Sequence, residues 1–270
     1  MSLLSGRTAV VTGGAGGIGA ALSAELGSRG MSVVVADIDG AGARSVADDL
    51  SARGIPAIGV PVDVSDPESV EVLAQAAHAR FGSVELLCNN AGVLLFGTVA
   101  DSSMGDWRWL SSVNLEGLLN CLHAFLPRMR AGSGWRHVLN TASTHAFLPD
   151  PQGTTLYSAT KHAIVGLSLG LRGELASDGI GVTILCPGQV ATRILDSQRH
   201  RPAGYGRRAA EPFGTGIVPL AIEPGEVARD AVDGVLRGDA IVFSLPAEGR
   251  EEFRAQVEES RRLADAAWRA

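Results

Sequence analysis

Tyr157 and Lys161 stand four residues apart in the run Tyr157-Ser158-Ala159-Thr160-Lys161. On a helix that spacing sends both side chains out from one face. Moving a hydride off a carbinol requires the hydroxyl to lose a proton, and the group that takes it needs a pKa near the working pH. A free tyrosine titrates near ~10, and an adjacent cation favours its phenolate. The pair therefore reads as a general acid/base, Tyr157, with a lysine that lowers its pKa. Alone, the same spacing also fits an ordinary half-buried tyrosine beside a surface lysine.

A second cluster suits anion binding. Thr12-Gly13-Gly14-Ala15-Gly16-Gly17-Ile18-Gly19 follows an apolar run. Two spacings overlap there: GxGxxG at Gly14, Gly16 and Gly19, and TGxxxGxG at Gly13, Gly17 and Gly19. Glycines let a turn adopt positive φ and let backbone approach a pyrophosphate, and the helix that follows presents free N–H groups to the anion. Further on, Asp37 and Ile38 close the next apolar run. A carboxylate at that distance accepts hydrogen bonds from an adenosine ribose and repels a 2′-phosphate, which favours NAD over NADP. Asp39 fits a helix cap better than a ligand contact.

With these elements in place the chain resembles the short-chain dehydrogenase/reductase family. The resemblance rests on an ordered set: the turn from Thr12 to Gly19, Asp63-Val64, Asn89-Asn90-Ala91-Gly92, Asn114 in Ser112-Val113-Asn114-Leu115-Glu116-Gly117, Ser143 in Asn140-Thr141-Ala142-Ser143, the Tyr157–Lys161 element, and Pro187-Gly188-Gln189-Val190-Ala191-Thr192. It implies that Asp63 bonds the adenine with Val64 beside it. Asn90, Ala91 and Gly92 would line the cofactor cleft, while Asn89 would serve the sheet. Pro187, Gly188, Val190 and Thr192 would lie along the nicotinamide, and Lys161 would also hold its ribose. Ser143 would bond the substrate oxygen in an oxyanion-type role, and Asn114 would hold a water that links Lys161 to solvent. The family commonly forms tetramers, here through the helices at Leu115–Arg130 and Thr155–Ser177.

The elements that must position these residues are legible from periodicity. Apolar runs of strand length occur at Thr8–Val11, Ser32–Ala36, Ala57–Val62, Val84–Cys88, His137–Asn140, Val182–Cys186 and Ala240–Phe243. Helix-length segments lie between most of them, among them Gly17–Arg29, Ala41–Arg53, Pro67–Phe81, Met104–Leu110 and Glu226–Arg237. The expected fold is α/β: a single Rossmann-type, doubly wound domain over residues 1–270, with a seven-stranded, mostly parallel sheet and helices on both faces. Ala191–Ile222 is irregular and reads as a substrate lid. Residues 246–270 read as a helical tail carrying Phe253, Val257, Leu263 and Trp268. Leu94, His145, Leu156 and Gln189 are the candidate substrate contacts, within an apolar setting that includes Val93, Phe96 and Phe147.

Composition narrows the partners. The net charge is −6 with no basic block, which argues against nucleic acid. No stretch is long and apolar enough for a membrane span, the first residues do not resemble a secretory leader, and the three scattered cysteines fit a reducing, cytoplasmic setting. The histidines show no paired metal spacing, so no metal is expected. The expected activity is NAD(H)-dependent interconversion of a moderately hydrophobic secondary alcohol and its ketone by a homo-oligomer. A carrier-protein-linked 3-oxoacyl reductase would call for NADP and a basic docking patch, which Asp37 and the acidic balance oppose. A silent dinucleotide-binding protein would show an eroded catalytic set, and the set is intact.

Overall fold

Strands that are apolar at consecutive positions need cover on both faces. The computed structural model, which describes residues 3–148, 153–206 and 221–267, provides that cover. The strands are β1 (Thr8–Thr12), β2 (Ser32–Asp37), β3 (Ala57–Pro61), β4 (Leu86–Asn89), β5 (Arg136–Thr141), β6 (Ile180–Pro187) and β7 (Ile241–Ser244). They form one sheet in the order β3-β2-β1-β4-β5-β6-β7. Every pairing in it is parallel, so the expected "mostly parallel" sheet is parallel throughout. A parallel pair requires a crossover, and helical segments make most of them here.

Alternate residues of each strand feed opposite layers. Val10, Val34 and Val138 pack with Leu73 of α3 (Pro67–Phe81), Phe125 of α5 (Gly117–Ala131) and Ile164 of α6 (Thr155–Glu174). Ala9, Val11 and Val33 pack with Leu26 of α1 (Gly17–Ser28), Ala43 of α2 (Gly40–Ala52) and Val232 of α7 (Pro224–Arg237). Strand order reverses between β1 and β4, and in such sheets ligands bind at the carboxyl ends beside that switch.

Three features depart most from the periodicity. α4 (Met104–Ser111) does not stop before α5; a π-turn at Ser112–Glu116 joins them, and such turns insert one extra residue without breaking the helix. α6 ends at Glu174, short of Ser177, where a 3₁₀ turn at Ala176–Asp178 leads to Gly179 at φ 65°. A 3₁₀ turn also occupies Arg193–His200, within the stretch read as irregular. The tail forms α8 (Ala247–Ala267), whose Phe253 ring lies 5.0 Å from that of Phe243, itself 5.2 Å from Phe147. Trp268 lies outside the described residues. Among the described residues no helix is long and apolar enough to cross a membrane.

One buried group makes the fold sensitive to acid. His137 on β5 is 2 % exposed, stacks on Trp135, and sits 2.8 Å from the Thr183 hydroxyl. That hydroxyl donates to the Asp239 carbonyl, so it accepts from Nε2–H of a neutral imidazole. Burial, helped by the Arg172 cation, pushes His137 down to about 4. The folded pKa lies below the unfolded one, so this contribution is fully present above pH ~6.5 and is lost as pH falls toward 4. Once both states are protonated the fold is weaker by about 3 kcal/mol from this group. Denaturant unfolding at stepped pH should show that loss, and His137→Gln should flatten it; an equally steep profile in the variant excludes His137 as its source.

Candidate active site

The glycine turn leaves β1 at the switch point. Gly13 and Gly17 take φ of 66° and 52°, where a side chain is strained. A Cβ at Gly19 would lie 2.0 Å from the Gly13 carbonyl oxygen. The backbone thus selects Gly13, Gly17 and Gly19, the TGxxxGxG reading of the two. Gly16 is extended, caps α1 with no side-chain hydrogen bond, and leaves the first N–H groups of that helix facing the cleft. The turn is fastened to the end of β4. The Thr12 hydroxyl accepts from the Asn90 and Ala91 amides at 3.0 and 3.1 Å, and the Asn90 side chain donates to the Thr12 carbonyl at 3.0 Å.

Asp37 sits at the end of β2 with its carboxylate fixed from two sides, accepting from the Ala15 amide at 2.9 Å and the Asp39 amide at 2.9 Å. Asp39 caps α2 through the Gly42 amide, as its helix-cap reading expected. Asp63 accepts from the backbone and hydroxyl of Ser65 at 2.9 and 2.7 Å. Asn89 turns into the sheet and donates to Asn140 across β4 and β5. A cleft of about 970 Å³ runs past these groups. Of the residues expected at a cofactor, Gly13, Gly16, Gly17, Ile18, Asp37, Ile38, Asp63, Val64, Asn90, Ala91, Gly92, Tyr157, Lys161, Pro187, Gly188, Val190 and Thr192 line it. Gly19 and Asn114 stand behind its wall.

At the inner end of the cleft the chemistry-bearing groups meet. Ser143 follows β5, and its hydroxyl lies near enough to the Tyr157 phenol on α6 to act on its ionisation. Lys161, one turn on, donates to the Thr141 carbonyl at 3.0 Å, with its ammonium 5.6 Å from the Tyr157 ring centre. Both side chains are buried. The expected lowering of the tyrosine pKa is not what this arrangement produces. Burial pushes Tyr157 up to about 12, and the nearby Ser143 hydroxyl only partly offsets it. Burial also pushes Lys161 down to about 8. One cause explains both: loss of water disfavours a phenolate and an ammonium alike. The resting phenol is a proton donor.

Asn114 lies within the π-turn and is 1 % exposed. Its Oδ1 accepts from the Val93 amide at 2.8 Å, and Nδ2 donates to the Val93 carbonyl and the Thr160 hydroxyl, each at 3.0 Å. With both amide protons committed, the side chain clamps the loop after Gly92 onto α6.

The substrate side is mixed. Leu94, His145 and Gln189 line the cleft; Leu156 instead packs into a small core with Val93, Leu95 and Trp109. The His145 ring meets Tyr157 edge-on at 5.8 Å, and its amide donates to Ser143. The segment read as a lid is described over 191–206 and 221–222; residues 207–220 lie outside the described part. Its base is closed by the pairing of Val190 with Ile222. Beyond that, Ser197 accepts from the Leu94 amide at 3.1 Å, and Arg201 pairs with Asp106 of α4 at 2.6 Å, both side chains almost fully buried. Trp109, Arg193, Ser197 and His200 also line the cleft; the last three fall within the stretch read as a lid but were not singled out, and Trp109 was missed from the sequence. Only Arg193 had a signal there, as a cation directly after Thr192.

Comparisons with known proteins place the chain in a family. The model of the short chain dehydrogenase family matches residues 7–203. A 1-deoxy-11-beta-hydroxypentalenate dehydrogenase from Streptomyces exfoliatus is 40% identical over 207 residues, 75% of this chain and 74% of that protein. A C alpha-dehydrogenase from Sphingobium sp. is 35% identical over 265 residues, covering 93% and 86% of the two chains. Among solved structures, a short chain dehydrogenase/reductase from Burkholderia phymatum in complex with NAD superposes with a TM-score of 0.86 at 33% identity, over 97% of this chain and 96% of that one.

Proposed function

The chain belongs to the short-chain dehydrogenase family, and we propose that it interconverts a moderately hydrophobic secondary alcohol and its ketone with NAD(H). The observation that carries this reading is the meeting of Ser143, Tyr157 and Lys161 at the inner end of a cleft that also holds the glycine turn and Asp37. The dinucleotide supplies the hydride acceptor or donor. The residues of the chain do the remainder. Ser143 holds the substrate oxygen, and Tyr157 delivers a proton to it or receives one. Lys161, when protonated, places positive charge behind the phenol and works against the burial that disfavours its ionised form. Val93, Leu94 and Trp109 give the substrate side an apolar lining.

The same reading includes a cytoplasmic location and a homo-oligomer, a tetramer by family resemblance. Gly166, Gly170 and Gly173 of α6 face open space beside Leu169, which is 47 % exposed, so that helix offers a flat apolar face for close packing.

The test is absorbance at the reduced-nicotinamide band with NAD and a panel of secondary alcohols, alongside titration of both cofactors. NAD should bind at least about tenfold more tightly than NADP, because a 2′-phosphate would bring its charge against the Asp37 carboxylate, a penalty of roughly 1.4 kcal/mol or more. Asp37→Ser should erase that preference. Tighter binding of NADP by the unmodified protein defeats the cofactor assignment, and failure to bind either defeats the reading as a whole.

A further inference from the structure

The glycine turn from Thr12 to Gly19 contains no lysine or arginine, although a dinucleotide brings a charged diphosphate to such a turn. A cation reaches it from elsewhere in the chain. One guanidinium nitrogen of Arg193, Nη2, lies 3.7 Å from where a Cβ on Gly16 would stand. Gly16 caps α1, so the guanidinium hangs over the unpaired amides of that helix. Arg193 lines the cleft, and among the described residues its guanidinium makes no hydrogen bond or ion pair. Its neighbour Arg199 is different: that guanidinium bonds the carbonyls of Arg193 and Asp196 at 2.9 and 2.7 Å.

The position is built. Thr192 packs its methyl against Gly17, where a Cβ would come within 2.9 Å of it. Five residues past Thr192, the Ser197 hydroxyl is fastened to the Leu94 amide, and Arg201 is fastened to Asp106. Arg193 therefore projects from a segment anchored on both sides.

We propose that Arg193 is a cofactor-binding residue whose guanidinium closes over the diphosphate of the dinucleotide, opposite the amides of the α1 N-terminus. The inference rests on the reading that the cleft holds NAD(H). Arginine suits the task because its planar fork can bond two phosphate oxygens at once. Since Ile194, Leu195 and Ser197 of the same segment also line the cleft, the bound diphosphate would fix one wall of the substrate pocket.

The test compares NADH, ADP and adenosine binding to the unmodified protein and to Arg193→Met, by fluorescence for NADH and calorimetry for the others. Loss of a charge-assisted contact at an exposed residue corresponds to roughly a tenfold loss of affinity. NADH and ADP should each weaken by about that factor in the variant, while adenosine, which lacks the diphosphate, should not change. The salt dependence of NADH binding should become shallower, and Arg193→Lys should recover part of the loss. Unchanged ADP affinity and salt dependence in Arg193→Met overturn the proposal. So does a rise in the KM of the alcohol alone, which would assign the guanidinium to a substrate anion. If the unmodified protein binds neither NADH nor ADP, the cofactor reading itself fails; if it binds NADH and the variant binds it equally, only the role of Arg193 fails.

Discussion

Tyr157→Phe should lower turnover by about 10³-fold, within the range that a positioned acid or base contributes, while NADH affinity stays within about twofold. The substitution removes one oxygen and keeps the ring. Tyr157 is 6 % exposed and packs in a cluster with Val93, Leu95, Trp109 and Leu110, contacts that phenylalanine retains. The lost partner is the Ser143 hydroxyl, which still has the His145 amide at 3.2 Å. Folding should therefore be little affected, and the fall should appear in kcat measured at the reduced-nicotinamide band. Near-normal turnover would remove Tyr157 from the proton-transfer role, whatever the cofactor. The burial of the pair sharpens the expectation. With the phenol raised to about 12 and Lys161 lowered to about 8, proton delivery to a carbonyl oxygen needs no prior ionisation of Tyr157. The oxidising direction does need it, and should be the more sensitive of the two to pH.

The parts of this site that were legible in the sequence are those whose chemistry is local. A phosphate-cradling turn must spend its glycines within a few residues, so Gly13, Gly17 and Gly19 announce themselves. Tyr157 and Lys161 share a helical face by spacing alone. The seven strands were legible because burial on both faces demands unbroken apolar runs such as Val33–Ala36. Asn114 and Ser143 became visible only through family resemblance, since an asparagine in a helix and a serine after a strand carry no signal of their own. Trp109 and Ser197 acquire their places from tertiary approach, one across the cleft from α4 and one from a short 3₁₀ segment in a stretch rich in Arg, Gly and Pro. The π-turn that holds Asn114 was hidden for the same reason: its extra residue is set by packing against Val93 and Thr160. The direction of the tyrosine shift was misjudged because spacing reveals a nearby cation, whereas the loss of water around both groups depends on the whole fold.

Gly19→Ala should abolish measurable dinucleotide binding, a loss of at least about 100-fold, and lower the melting temperature by roughly 5 °C. The added methyl would lie 2.0 Å from the Gly13 carbonyl oxygen and 2.8 Å from Asn90 Nδ2. Neither can yield cheaply. Asn90 Nδ2 is held by the Thr12 carbonyl at 3.0 Å, and Gly13 is already backed against Ala91, whose Cα would be 2.9 Å from a Cβ on Gly13. The turn must open, and its amides then no longer converge on one anion. Gly16→Ala provides the contrast within the same turn. A Cβ there meets only Arg193 Nη2, at 3.7 Å, so the melting temperature should hold within about 1 °C while NADH binding weakens, because the methyl enters the space between the helix amides and the guanidinium. The two glycines would thus be required for different reasons: Gly19 by the protein's own backbone, and Gly16, on the proposed reading, by the diphosphate. If Gly19→Ala kept both its melting temperature and its NADH affinity, close backbone approach could not be what demands glycine at that position. If Gly16→Ala bound NADH unchanged, the diphosphate would have to lie away from the α1 N-terminus.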